Sequence, residues 1–255
     1  GFFFDRVRLA NPIKEETLED LQKIVREENC AFGVAFDGDG DRVGFVDEKG
    51  ESIPGDILTA LFAKELLLQE KDGLVLYDLR SSWAVPEVIE EAGGKGEMTR
   101  VGHAYIKAEM HERKALFAGE LSMHFYFQPF WNCESGDFAM LLLLNLLARE
   151  GKPLSEIWKP LKRYAHSGEI NFEVEDAKAI IKKIKKHYGD QASASTEIDG
   201  LRMDFVSNSD QDWWFNVRPS NTEPLLRLNL EAKNEDEMNK RREEVSALIK
   251  ELSQA

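Results

Sequence analysis

Across residues 17–28 the apolar side chains Leu18, Leu21, Ile24 and Val25 return at intervals of three and four, the spacing of one helix face. The rhythm then shortens. Residues 31–36 form a mostly apolar run of strand character that stops at Asp37-Gly38-Asp39-Gly40-Asp41-Arg42, and a second such run follows over 43–47. Glu48-Lys49-Gly50 reads as a turn, so the local frame is strand, polar loop, strand. From Asp56 helical spacing resumes through Ile57, Leu58, Leu61, Phe62 and Leu66, with Asp56 in the place of an N-cap. Strands are predicted at 74–79, 98–101, 116–120 and 125–128, and helices at 84–91, 103–112 and 138–149. Strands alternating with helices of about ten residues predict an α/β layer whose sheet is largely parallel.

Beyond a helical stretch at 155–164 the pattern changes. A strand at 169–174, a basic helix at 177–187 and strands crowded at 201–206, 213–217 and 225–231 precede a long closing helix. That helix carries Met238, Val245, Leu248, Ile249 and Leu252 on one face. The predicted fold class is therefore a mixed α/β layer domain with helices on the sheet, followed by a smaller α+β C-terminal domain. Residues 1–52 are too few for an independent domain and read as the remainder of one. Residues 53–164 make the α/β domain and residues 165–255 the C-terminal one.

Charge narrows the partners. The 47 acidic against 33 basic residues leave a net charge of -14, which argues against nucleic acid, whose phosphates need a basic face. A local basic pocket for a small phosphorylated ligand stays compatible with it. Cys30 and Cys133 have neither metal-type nor redox-type spacing; buried packing and a reduced, cytoplasmic setting fit both. The apolar run from Ala139 to Leu147 is broken by Asn145 and falls well short of the roughly 20 residues that span a bilayer. No membrane segment or targeting sequence is expected, since the start Gly1-Phe2-Phe3-Phe4 lacks a basic n-region.

Two loops carry candidate chemistry. Asp37, Asp39 and Asp41 stand two apart with glycines between, and carboxylates so crowded repel one another unless a cation neutralises them. Oxygen-only ligation in a tight loop suits Mg²⁺. An acidic surface turn is the plainer reading. An EF-hand is excluded, because its sixth position needs glycine where Arg42 stands, and its flanks need helices. The second loop, Arg218-Pro219-Ser220-Asn221-Thr222-Glu223-Pro224 with Arg227 beyond it, lies between two strands. Arginine forks and short hydroxyl and amide donors suit phosphate oxygens, although the same residues also make an ordinary Ser/Asx turn.

In this order the two loops resemble those of the α-D-phosphohexomutases, of phosphomannomutase/phosphoglucomutase type. Three further segments carry the resemblance: Gly119-Glu120-Leu121-Ser122-Met123-His124 in place of the sugar-reading loop, Val101-Gly102-His103-Ala104-Tyr105-Ile106-Lys107, and Tyr77-Asp78-Leu79-Arg80-Ser81-Ser82. The likeness runs along essentially the whole chain. It implies an enzyme that interconverts hexose 1-phosphate and 6-phosphate, of mannose or glucose, through a bisphosphate intermediate, with hexose 1,6-bisphosphate as activator.

Carried over, Asp37, Asp39 and Asp41 would hold Mg²⁺, and Arg42 would stand beside the transferring phosphoryl group. Glu120 and Ser122 would bind sugar hydroxyls; Arg218, Ser220, Asn221, Thr222 and Arg227 would take the phosphate that is not transferred. Arg80, His103 and His124 would lie near the reacting hydroxyl, a histidine being the expected acid/base. Residues 1–52 would be the remainder of a metal-binding domain.

Departures from the pattern are informative. A loop of the T-A-S-H-N-P type, with the serine that the family phosphorylates, is absent from the sequence. The chain is thus expected to lack the front segment that carries it and to be incomplete for catalysis; a phosphosugar-binding remnant without chemistry is the alternative. Apolar surface near Phe2, Phe3 and Phe4 would then favour self-association. Met123 replaces a loop glycine, so the backbone there either avoids positive φ or bears strain.

Overall fold

The computed structural model describes residues 10–220 and 223–254 and divides into two compact units, Gly1–Lys162 and Arg163–Ala255. The first begins with helix α1 (Glu15–Glu27), whose Leu18 and Val25 pack on a β-hairpin. Its strands, β1 (Phe32–Phe36) and β2 (Val43–Asp47), pair antiparallel, Phe36 facing Val43 across the acidic loop. Helix α2 (Gly55–Leu66) follows. A five-stranded sheet comes next, built from β3 (Leu74–Asp78), β4 (Lys95–Thr99), β5 (Phe117–Gly119), β6 (Phe125–Phe127) and β7 (Cys133–Glu134) in the order β4-β3-β5-β6-β7. Helices α3 (Ala84–Glu91), α4 (His103–Arg113), α5 (Gly136–Glu150) and α6 (Leu154–Trp158) complete the unit.

The expectation of a largely parallel sheet needs correction. β3 pairs parallel with β4 and β5, but β5–β6 and β6–β7 are antiparallel. The reason is loop length: only a few residues separate these strands, enough for a hairpin and too few for a crossover helix. Asp56 is not an N-cap either. It lies inside the first turn of α2, where Oδ1 accepts from the Ile57 amide and Oδ2 from the Ser82 amide at 3.0 Å, tying α2 to the end of β3. The helix expected to reach residue 164 ends at Trp158, and Pro160 leaves only a 3-10 turn behind it.

Phe62 on α2 holds the hairpin against the sheet. Its ring meets Phe45 of β2 edge-on at 6.0 Å and Phe125 of β6 at 5.1 Å, all three fully buried. At the entrance of α2, a Cβ on Gly55 would stand 2.6 Å from the carbonyl oxygen of Leu121, so only glycine lets the helix seat against the loop after β5.

The second unit is an antiparallel sheet of β8 (Ala165–Glu173), β9 (Ala194–Thr196), β10 (Leu201–Phe205), β11 (Trp213–Pro219) and β12 (Leu225–Ala232), ordered β8-β12-β11-β10-β9. Helices α7 (Ala177–Tyr188) and α8 (Glu235–Gln254) add Ile180, Ile184, Val245 and Ile249 to a core with Phe215, Leu228 and Leu230. Asp176 caps α7 by accepting from the Ala179 amide. Cys133 is exposed rather than buried, and Cys30 is half-buried. Among the described residues no helix is long and apolar enough to cross a membrane.

Candidate active site

The acidic loop closes on itself. Asp37 is buried at the end of β1; its Oδ1 accepts from the amides of Gly40 and Arg42, and its Oδ2 from Arg42 Nε at 2.6 Å. Burial opposes ionisation of Asp37, but the Arg42 amide and guanidinium outweigh it and hold the carboxyl below its ordinary range. Asp41 moves the other way: burial and the charges of Asp37 and Asp39 raise it against the pull of His124. Carboxylate oxygens of Asp37, Asp39 and Asp41 lie within 4.8 Å of one another, Asp39 exposed at the tip. A hard-oxygen set whose members destabilise each other's charge fits a small divalent cation.

The turn between β5 and β6 stands beside this loop. Its backbone closes tightly: Glu120 N–H donates to the His124 carbonyl, and Met123 N–H to the Glu120 carbonyl, each at 3.0 Å. Met123 adopts φ +67° and is buried, so the replaced glycine is answered by strain and not by a changed turn. Its carbonyl accepts from Val43 N–H at 3.1 Å, and Arg42 bridges to His124, so the turn is laced to the acidic loop by main-chain pairing.

Buried side chains fix the turn. Asp78, at the end of β3 and fully buried, forms a 2.7 Å ion pair with buried Arg80 and accepts from the Leu121 amide at 2.8 Å. Glu120 is 2% exposed and accepts from Tyr126 Oη at 2.7 Å and from the Gly102 amide at 3.1 Å. Burial pushes Glu120 up, but the His124 hydrogen bond, the charges of Arg80 and His124 and the Tyr126 hydroxyl hold it down at about 2. Tyr126 is correspondingly raised, by burial first and then by the Glu120 charge.

His124 joins the two loops. Its Nε2 lies 3.4 Å from Asp41 Oδ2, its Nδ1 3.2 Å from Glu120 Oε2 and 3.1 Å from Ser122 Oγ. Burial disfavours its charged form, but the Glu120 hydrogen bond and the charges of Glu120 and Asp41 prevail and raise its pKa. His103, first residue of α4, is 62% exposed and sits 3.6 Å from Glu134 of β7, which also pairs with Lys107 at 2.6 Å. Ligand atoms of Asp41, His103 and Glu134 lie within 4.8 Å of one another, so Asp41 stands between both histidines.

In the second unit Arg218 of β11 and Arg227 of β12 face each other across the ladder. Ser220 Oγ accepts from Arg227 Nη2 at 3.2 Å. Asn221 and Thr222 lie outside the described residues, as do Phe2, Phe3 and Phe4.

Residues 2–50, 54–164 and 169–248 match, in turn, the descriptions "Phosphoglucomutase/phosphomannomutase, alpha/beta/alpha domain II", "alpha/beta/alpha domain III" and "C-terminal domain". The chain belongs to the phosphoglucomutase/phosphomannomutase family. It is 49% identical over 240 residues to a phosphomannomutase of Methanocaldococcus jannaschii, covering 94% of this chain and 52% of that protein. A crystal structure of a phosphoglucomutase/phosphomannomutase family protein from Burkholderia thailandensis superposes with a TM-score of 0.84 at 30% identity, over 94% of this chain and 51% of that one. At the level of fold alone it is similar to the Aspergillus fumigatus N-acetylphosphoglucosamine mutase in complex with GlcNAc-6P and magnesium, with a TM-score of 0.63, 15% identity, and 86% and 48% covered. The chain spans about half the length of the curated relatives it matches.

The first unit gathers Asp37, Asp39, Asp41, Arg42, Glu120, Ser122, His103 and His124 around one pair of loops. Arg80 is buried, its guanidinium paired with Asp78 at the end of β3. Sequence reasoning assigned no role to Asp78, Tyr126, Glu134, Lys107 or Glu169. Asp78 and Lys107 lie inside segments that carried the resemblance and could have been found there. Tyr126 and Glu169 leave no local signal, because their partners come from other strands.

Proposed function

We propose that the protein is a Mg²⁺-dependent phosphohexomutase, interconverting the 1- and 6-phosphates of mannose or glucose through a bisphosphate intermediate, with hexose 1,6-bisphosphate as activator. The observation that supports it most is the lacing of a three-aspartate loop to a sugar-type loop through Arg42, Met123 and His124. Asp37, Asp39 and Asp41 would hold Mg²⁺, which when bound supplies positive charge against phosphoryl oxygens. Arg42, oriented by Asp37, adds a fixed cation beside them.

Glu120 and Ser122 would bind sugar hydroxyls, and Glu120 also fixes the His124 imidazole through Nδ1. Both His124 nitrogens are engaged; His103 keeps an accessible ring and is the better placed to accept or return a proton at a hydroxyl. Arg218, Ser220, Asn221, Thr222 and Arg227 would take a phosphate group.

The test is turnover of mannose 1-phosphate with Mg²⁺ and the 1,6-bisphosphate, by the chain alone and by the chain joined to the serine-bearing front of a relative. Turnover in the joined form that disappears in Asp41→Asn is expected. Failure of both forms, with folding intact, would overturn the enzymatic reading, and binding of the sugar phosphate without turnover would favour the binding remnant.

A further inference from the structure

Arg218 and Arg227 lie directly opposite on adjacent strands, where like charges repel. What holds them together is a third strand. Glu169 of β8 puts Oε2 at 3.4 Å from Arg218 Nη2 and Oε1 at 3.2 Å from Arg227 Nη1. Glu223 adds a contact of 3.3 Å to Arg227 Nη2. Two guanidinium groups and two carboxylates sum to zero charge.

The contacts are loose. Strong charge-assisted N–H···O bonds are about 2.7–2.9 Å long, and the contacts of Arg227 at 3.2–3.3 Å fall short of that. Arg218 is 7% exposed and cannot turn away, whereas the Glu169 side chain is 26% exposed and borders water. An anion with three oxygens spanning both forks can therefore displace the carboxylate, which regains hydration as it leaves.

We infer that Glu169 is an internal anion occupying the arginine pair until a phosphate group displaces it, and that it sets the loop's phosphate affinity. This rests on the reading of residues 218–227 as a phosphate loop. In an enzyme that must release and regrasp the sugar ester at its other end, a weakened grip serves turnover. Glu169 is then a positioning and tuning residue, not a phosphate ligand.

The experiment is calorimetric titration of the full chain with inorganic phosphate and with glucose 1-phosphate at fixed ionic strength, for wild type, Glu169→Gln, Glu169→Asp and Arg227→Ala. Removing one competing, partly exposed charge is expected to tighten binding roughly three- to tenfold in E169Q, with E169D between, while R227A loses it. Structural damage would not tighten binding, so the direction itself separates tuning from scaffolding. Should E169Q not fold, the intermediate tightening of E169D decides. Binding that is lost in R227A yet unchanged or weakened in E169Q and E169D overturns the inference and leaves the phosphate reading standing. No binding by wild type or by either Glu169 variant, or binding indifferent to R227A, overturns both.

Discussion

Met123 holds a left-handed conformation that costs a side-chain-bearing residue about 1–2 kcal/mol. Its thioether compensates by packing over Gly44, where the sulfur lies 3.1 Å from the place a Cβ would take. Alanine ordinarily outranks glycine in stability. Here the order should invert: Met123→Gly is expected to be more stable than Met123→Ala by about 1 kcal/mol, measured by chemical unfolding.

Glu120 gives a second residue-scale expectation. Its folded pKa of about 2 lies below the unfolded value near 4.3, so the ionised carboxylate stabilises the fold fully above that range. The contribution is lost as pH falls from about 4.5 toward 2. Glu120→Gln should therefore cost on the order of 3 kcal/mol near neutrality, and the gap to wild type should close across that acid window in unfolding measurements. Both residues stood out in the sequence, with Glu120 expected at sugar hydroxyls; its bonds from Tyr126 and Gly102 were not legible there, because they come from separate elements.

At the scale of elements, α2 is the piece that aligns the loops. It presses Gly55 against the Leu121 carbonyl and Phe62 between Phe45 and Phe125. A methyl at Gly55 meets backbone, which cannot yield as a flexible side chain would. Gly55→Ala should cost about 1–3 kcal/mol and speed amide exchange in the residue 120–124 turn. Phe62→Ala, which empties the centre of the ring cluster, should cost about 3–5 kcal/mol in the same assay.

The helices and longer strands were legible because their apolar spacing is regular. Strand direction was not: β5 and β6 are continuous apolar runs without alternation, and such runs do not distinguish parallel from antiparallel neighbours. β7 and β9 are only two and three residues long, below what periodicity can register.

At the scale of the molecule, the second unit closes its own core between one sheet and two helices. Residues 163–255 expressed alone are expected to unfold in a single cooperative transition by circular dichroism. A featureless melt would count against independent folding. The change of rhythm near residue 165 was readable because crowded strands replace the strand–helix alternation. The cross-strand set of Glu169, Arg218 and Arg227 was not, since its members meet only once three strands are laid side by side.

The main-chain seam between residues 42–43 and 123–124 has a consequence for anyone recombining relatives of this protein. A chimera that imports one of the two turns from another member of the family inherits half of a fitted joint, with the donor's partner left behind. Productive exchanges should be those that carry both turns together, and natural variation at the two places should go in step.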